Sequence, residues 1–276
     1  MKIFLIGASG SIGWPLFNFL RKKNFKVIGT YNKNFKKKLL KFKISNSLSK
    51  LSNNINHEDV FVLLAAETNV SWVRKNPKKS FKINSHQTIK LIKKISKFGS
   101  KIIYFSSAEI FDGKKGYYKE SSLGNPINVY GKTKNEVEKF LRKSKSINYK
   151  IVRTGRNVNM SLKYSCMIQD TYNTLLNAKA KMAVDNLFTI THANDLIKGI
   201  LKLLKYKGRE KIYHICSNMV ISRTNLAEMI IKNSIYGNLM RYKTVKFENI
   251  LYKEPRAAKN NLSSKLTIKN LKLNFK

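Results

Sequence analysis

Three glycines spaced by three, Gly7, Gly10 and Gly13, stand directly after a short apolar run and directly before a stretch of helical periodicity. Strand, glycine turn and helix in that order are what a parallel sheet with crossover helices requires at its first crossover. The first glycine permits the tight turn, the second lets backbone N–H groups approach a pyrophosphate, and the third lets helix and strand pack closely. The helix N-terminus adds partial positive charge. G-A-S-G-S-I-G therefore points to a dinucleotide held by Gly7, Gly10, Ser11, Ile12 and Gly13.

The rest of the first 155 residues continues the alternation. Strand candidates begin at Lys2, Lys26, Asp59, Lys101 and Tyr149, and helical patterns begin at Ser11, Ser80 and Val129, with a weaker helical segment, FKKKLLKFKISNSLSKL, in the second crossover. Such a pattern predicts an α/β fold: a Rossmann doubly wound parallel sheet, followed by a smaller C-terminal α/β lobe that binds substrate. We expect residues 1–155 to form the cofactor domain, with 187–206 returning to it. Residues 156–186 and 207–276 would form the lobe, where Ser222 or Thr224 could cap the helix that follows. At roughly 100 to 200 residues per domain, 276 residues suit one domain with an added lobe.

The choice of dinucleotide turns on the end of the second strand, where NAD sites place a carboxylate for the ribose 2′-hydroxyl. Here Ile28, Gly29, Thr30, Tyr31, Asn32 and Lys33 contain none. A 2′-phosphate would meet Tyr31, Asn32 and Lys33, with Lys36 to Lys38 close by in sequence. The expected cofactor is NADP(H), with NAD(H) the alternative.

A formal net charge of +40 invites a polyanionic partner. Yet nine of the 55 basic residues are Arg and the other 46 Lys, alongside 30 Asn. That joint excess reads as nucleotide bias, whereas phosphate recognition favours arginine forks. No specific nucleic-acid binding is expected. The scarcity of acids, 15 in all, stays unexplained. No stretch approaches the roughly 20 apolar residues of a membrane span, and glycines break the apolar N-terminal run that superficially resembles a signal peptide. Cys166 and Cys216 form neither a disulfide framework nor a zinc set and are taken as ordinary apolar positions. Cytoplasmic localisation is the expectation.

Tyr130 and Lys134 are spaced to share one helix face. With 13 Tyr and 46 Lys among 276 residues, about two Y-x-x-x-K matches arise by chance, and two occur, the other being Tyr242 with Lys246. Position favours the first, which follows a strand ending in Ser106-Ser107, where sheets of this kind line the ligand crevice.

Together with these motifs, H-A-N-D-L-I-K-G-I from His192 resembles an extended short-chain dehydrogenase/reductase. More narrowly, IFDGKKGYYKESSLGNPINVYGKTKNEVEKFL from Ile110, AAETNVSWVRKNPKKSFKINSHQT from Ala65 and PRAAKNNLSSKL from Pro255 are similar to the dTDP-4-dehydrorhamnose reductase group. The resemblance implies NADPH-dependent reduction of the C4 ketone of a nucleotide-activated 4-keto-6-deoxyhexose, in deoxysugar synthesis for surface polysaccharide. It makes Tyr130 the general acid and has Lys134 lower the Tyr130 pKa and bond the nicotinamide ribose. Ser107 would hydrogen-bond the ketone, and Ala65 and Ala66 would line the cofactor. Asn84 stands where the fold uses an Asn to hold a water or the active-site helix.

Thr68, Val70, Glu109, Arg156 and Arg256 fall at substrate-facing positions. Two of them depart from the family pattern: Glu109 stands for a Tyr and Arg156 for a Trp, and the two either pair or read a different hexose. The tail lacks the acids with which some members hold a metal, and His57, His86, His192 and His214 lack ligand spacing, so no metal is expected. The chain would be a monomer or homodimer. An epimerase or dehydratase of the same fold, or a noncatalytic NADP-binding regulatory subunit, is the alternative.

Overall fold

Strand β1 (Ile3–Ile6) is buried at every residue and pairs in parallel with β2 (Val27–Tyr31) on one side and β4 (Val60–Leu63) on the other. Strands covered on both faces read as continuous apolar runs, as these do. The computed structural model describes residues 1–158, 167–177 and 179–275. Its main sheet has seven parallel strands in the order β10-β6-β5-β4-β1-β2-β3. Here β3 is Leu40–Lys41, β5 is Lys101–Phe105, β6 is Tyr149–Thr154 and β10 is Ile212–Ile215. The order reverses at β1, which opens a ligand crevice at the C-terminal ends of β1 and β4.

Helix α1 (Gly13–Lys22) lays Leu16, Phe17 and Leu20 on one face of the sheet, beside Leu196, Ile200 and Leu203 of α7 (Ala193–Lys205). The opposite face is covered by Leu91, Ile92 and Ile95 of α4 (Thr88–Ser96) and by Val137 and Leu141 of α5 (Val129–Lys143). Ahead of α4 the chain runs through α2 (Val70–Lys75), α3 (Pro77–Ser80) and a π-helical stretch, Phe81–Gln87, in which Asn84 and Ser85 are buried.

The lobe contains a three-stranded sheet, β11-β9-β7, and a two-stranded one, β12-β8. Their strands are β7 (Arg156–Val158), β8 (Lys181–Ala183), β9 (Leu187–His192), β11 (Val220–Ser222) and β12 (Lys243–Val245). Helices α6 (Met167–Leu175) and α8 (Arg223–Asn233) pack with them. Ser222 caps α8 in a reciprocal capping box with Asn225.

Three expectations need correction. The weak helix in the second crossover is instead β3 and one 3-10 turn, Leu48–Lys50. Leu39 is buried on one face of the sheet while Phe42, Leu48 and Leu51 are buried on the other, so the segment crosses the sheet edge and cannot present a single helical stripe. Second, residues 207–276 are not all lobe. β10 is the seventh strand of the main sheet, and α9 (Lys265–Leu271) packs on it, with Leu271 and Leu273 in the core beside α7. Third, residues 187–206 divide: β9 joins the small sheet, and only α7 returns to the main core. Cys166 lies outside the described residues. Among those described, no helix is long and apolar enough to cross a membrane.

Candidate active site

The glycine turn is shaped by close backbone approach. Gly7 has φ of 95°, and a Cβ there would lie 2.6 Å from the Ala65 nitrogen; at Gly13 it would lie 2.5 Å from the Gly7 carbonyl oxygen. At Gly10 a Cβ would lie 3.5 Å from its nearest neighbour, an ordinary contact, so the fold itself does not demand a glycine there. No side chain caps α1 at Ile12; in its first turn the Trp14 N–H donates to the Gly10 carbonyl at 3.0 Å and Pro15 carries no N–H, so Gly13 is the first-turn residue whose N–H could meet an anion. Thr30, which the sequence reading passed over, holds the turn: its hydroxyl accepts from the Gly7 N–H at 3.0 Å and donates to the Leu5 carbonyl at 3.3 Å.

Tyr31 packs edge-on against Phe35, with Asn32 and Lys33 exposed beside it. Lys36 reaches back so that Nζ sits 5.4 Å over the Trp14 ring in the first turn of α1. Ala65 closes onto β1, its N–H donating to the Ile6 carbonyl at 2.8 Å. The following loop is fixed by Asn84, whose Oδ1 accepts from Glu67 N–H at 2.7 Å and whose Nδ2 donates to Glu67 O at 2.9 Å. Asn84 therefore positions a loop through direct bonds.

A cleft of about 430 Å³ opens beside the turn. Ser11, Ile12 and Ala66 line it on the side of the turn, and Ser107, Tyr130 and Lys134 meet within it. Thr68, Val70, Glu109, Arg156 and Arg256 line it as well. Gly7, Gly10, Gly13, Tyr31, Asn32, Lys33 and Ala65 do not. Tyr242, of the competing Y-x-x-x-K, lies elsewhere and donates to Glu228 at 3.3 Å.

Helix α5 carries Tyr130 and Lys134 because Asn128 caps it, accepting from the Gly131 N–H at 2.8 Å. Gly131 lets the helix sit against the preceding turn, since a Cβ there would lie 2.0 Å from the Glu109 carbonyl oxygen. Ser107 caps that turn, accepting from the Glu109 N–H at 3.2 Å, so its own proton remains for a ligand. Lys134 donates to the Phe105 carbonyl at 2.8 Å, with Nζ 5.9 Å from the Tyr130 ring centre.

Burial dominates the ionisation of both Lys134 and Tyr130. Burial pushes Lys134 down to about 8, with the Glu138 charge opposing. Burial, and next the Glu109 charge, push Tyr130 well above its ordinary value.

Glu109 and Arg156 pair at 3.1 Å. Glu109 also accepts from Asn260 Nδ2 at 3.0 Å and Asn128 Nδ2 at 2.8 Å, two partners the sequence reading did not find. An adjoining hollow of about 360 Å³ shares Arg156 and Arg256 and adds Arg223, Phe247 and Tyr252. Burial, then Arg156, holds the Arg223 guanidinium below its ordinary range. Arg256 stacks 4.7 Å from the Tyr252 ring centre and bonds Glu254 at 3.2 Å. Arg223 escaped the sequence reading because it opens an ordinary helix, and only the fold brings it to one hollow with two more of the nine arginines. Converging guanidinium groups suit a diphosphate.

His214, His192 and Cys216 are tied into the fold. His214 is buried in bonds to Arg153 and the Ser263 carbonyl, and His192 caps α7. Cys216 is buried, its thiol pushed up to about 11 by burial. No cluster of three metal-ligating side chains occurs among the described residues.

The family model described as the RmlD substrate binding domain matches residues 1–276. Methionine adenosyltransferase 2 subunit beta from Bos taurus is 31% identical over 144 residues, covering 50% of this chain and 42% of the relative. The dTDP-4-dehydrorhamnose reductase of Salmonella typhimurium is 28% identical over 145 residues, covering 51% of this chain and 47% of the relative. The match thus spans less than half the length of either relative. A crystal structure of dTDP-4-dehydrorhamnose reductase from Bacillus anthracis in complex with NADP has the same fold, with a TM-score of 0.77 at 21% identity, covering 98% of this chain and 92% of that one.

Proposed function

The chain belongs to the family of the RmlD substrate binding domain, and on that premise we propose that it reduces the C4 ketone of a nucleotide-activated 4-keto-6-deoxyhexose with NADPH. One observation carries the reading: Ser107, Tyr130 and Lys134 meet in a cleft that runs from the phosphate turn to a cluster of three arginines. A cofactor phosphate at one end, a reacting carbonyl in the middle and a sugar diphosphate at the other would use each part.

The turn at Gly7, Gly10 and Gly13 with the uncapped start of α1 would hold the cofactor pyrophosphate, and Lys36 over Trp14 supports NADP(H) over NAD(H). Bound there, the reduced nicotinamide would supply the hydride that the C4 carbon takes up. Ser107 would donate a hydrogen bond to the carbonyl oxygen as it takes on negative charge. Tyr130 transfers its proton to the same oxygen, and the phenolate left behind recovers a proton from solvent. A raised phenol pKa keeps the donor protonated at neutral pH. Lys134, anchored on the Phe105 carbonyl, stands beside the phenolate as it forms. Arg156, Arg223 and Arg256 would take the sugar diphosphate.

A second reading follows from the relative that is a subunit of methionine adenosyltransferase: a noncatalytic NADP-binding subunit. Retention of the three catalytic side chains disfavours it, because binding needs the turn alone. The test is NADPH absorbance with dTDP-4-keto-6-deoxyhexoses, comparing wild type with Tyr130→Phe. Oxidation that the substitution abolishes is expected. No oxidation with any nucleotide 4-ketosugar, or full activity in Tyr130→Phe, would refute the reductase mechanism.

A further inference from the structure

The chain has 46 lysines and nine arginines. The walls of the cleft and its adjoining hollow invert that ratio: among the described residues they hold three arginines, Arg156, Arg223 and Arg256, and one lysine, Lys134. The chain has 15 acids in all, yet three of them stand at these arginines. Glu109 Oε1 takes Arg156 at 3.1 Å, and Asn260 and Asn128 hold the same carboxylate in place. Glu254, 8% exposed, takes Arg256 on Oε1 at 3.2 Å and faces Arg74 of α2 with Oε2 at 3.5 Å. Asp170 lines both cavities. The Arg256 guanidinium is further held over the Tyr252 ring, 4.7 Å from its centre. The charge of the site is therefore set apart from that of the chain.

We propose that Glu109 and Glu254 are specificity-determining residues: they tether Arg156 and Arg256 and offset their charge, so that the hollow selects the diphosphate of a nucleotide sugar by shape and discriminates against simple polyanions. The proposal rests on the reading above that this hollow takes the sugar diphosphate. A chain of net charge +40 gathers anions of every kind at its surface. Three uncompensated guanidinium groups in one hollow would repel one another and hold the most highly charged anion best, whatever its form. Beside carboxylates they gain much less from the net charge of a ligand. What remains is the planar fork, whose N–H donors match two oxygens of one phosphate group. Lysine, a point charge on a flexible stem, offers no such geometry, which accounts for its near absence from these walls. An opposing charge built into a site excludes the wrong ligand as directly as a new contact favours the right one.

The test is calorimetric titration of the full-length protein saturated with NADPH, so that the phosphate turn is filled. The probes are dTDP-glucose and UDP-glucose, which are diphosphate diesters, and inorganic pyrophosphate, a bare and more highly charged diphosphate. Glu254→Gln removes the charge and nearly keeps the shape. It should tighten pyrophosphate binding about fivefold, the order of one charge at a partly exposed site, with a steeper salt dependence. The nucleotide sugars should gain less, so the selectivity ratio falls. Glu254→Asp keeps the charge and should keep the wild-type ratio. Glu109→Gln should shift the ratio in the same direction, and it gives an independent reading should Glu254→Gln fail to fold. A merely structural role would weaken all probes alike and leave the ratio in place, and that result would overturn the proposal. Wild-type protein that binds pyrophosphate as tightly as the nucleotide sugars would overturn it too. Selectivity that falls in the variants, in a protein that oxidises no NADPH with any nucleotide 4-ketosugar, would overturn the reductase reading and leave the role of the two carboxylates intact.

Discussion

Asn84 grips the backbone of Glu67 with both ends of its amide, accepting from the N–H at 2.7 Å and donating to the carbonyl at 2.9 Å. The π-helical stretch turns Asn84 inward, and the gripped loop carries Ala66 and Thr68 into the cleft. An extra residue in a helical turn at this point thus serves to aim one side chain.

Removing that grip should loosen the loop more than the fold. Asn84→Ala is expected to cost about 1–3 kcal/mol, the penalty of leaving buried polar groups unpaired. It should also raise KM for NADPH, because the loop abuts the phosphate turn at Ala65. Steady-state kinetics and denaturant unfolding of the variant check both.

Arg153 and Glu138 form a buried pair at 2.7 Å, with both side chains 1% exposed or less. Arg153 also donates to the Glu120 carbonyl, and the Glu120 carboxylate accepts from Thr267 of α9 at 2.7 Å. The network therefore joins α5, β6 and the C-terminal helix. Glu138→Gln leaves the guanidinium uncompensated and should destabilise by about 3–5 kcal/mol. A urea midpoint within error of the wild type would contradict this.

His214 predicts acid sensitivity with a defined sign. Burial, then the Arg153 charge, pushes it down to about 3 from 6.5. Between those values the unfolded chain binds a proton that the folded protein does not, so stability falls as pH drops through that window. The slope is roughly 1.4 kcal/mol per pH unit. Unfolding free energies from pH 7 to pH 4 should show it, and His214→Gln should flatten it.

Lys36 lies over Trp14 at the start of α1, where a 2′-phosphate would be read. Lys36→Ala should lower the preference for NADPH over NADH by about tenfold, the worth of one charge-assisted hydrogen bond. The check is the ratio of kcat/KM for the two cofactors. An unchanged ratio would move the recognition to Lys33 or elsewhere.

Local signals in the first 155 residues were legible because each is enforced locally. The glycine turn announces its steric demands, β1 and β4 read as apolar runs, and Ser107 lies two residues past the end of β5. FKKKLLKFKISNSLSKL misled because its apolar residues serve both faces of the sheet, a division that periodicity along one segment does not encode. β10 and α9 misled for a related reason: a strand that adds to a distant edge carries no mark of which edge it will join. Arg223 was hidden by its surroundings, an ordinary helix start whose neighbours in sequence say nothing of Arg156 and Arg256.

By itself, the sequence determined the α/β alternation, the phosphate turn and the helix on which Tyr130 and Lys134 share a face, since these depend on residue type at short spacing. Only the tertiary structure decided which Y-x-x-x-K pair enters the cleft, which arginines converge, and that Glu109 is held there by Arg156, Asn128 and Asn260. Desolvation and charge proximity belong to packing, and packing brings together residues that the chain holds far apart.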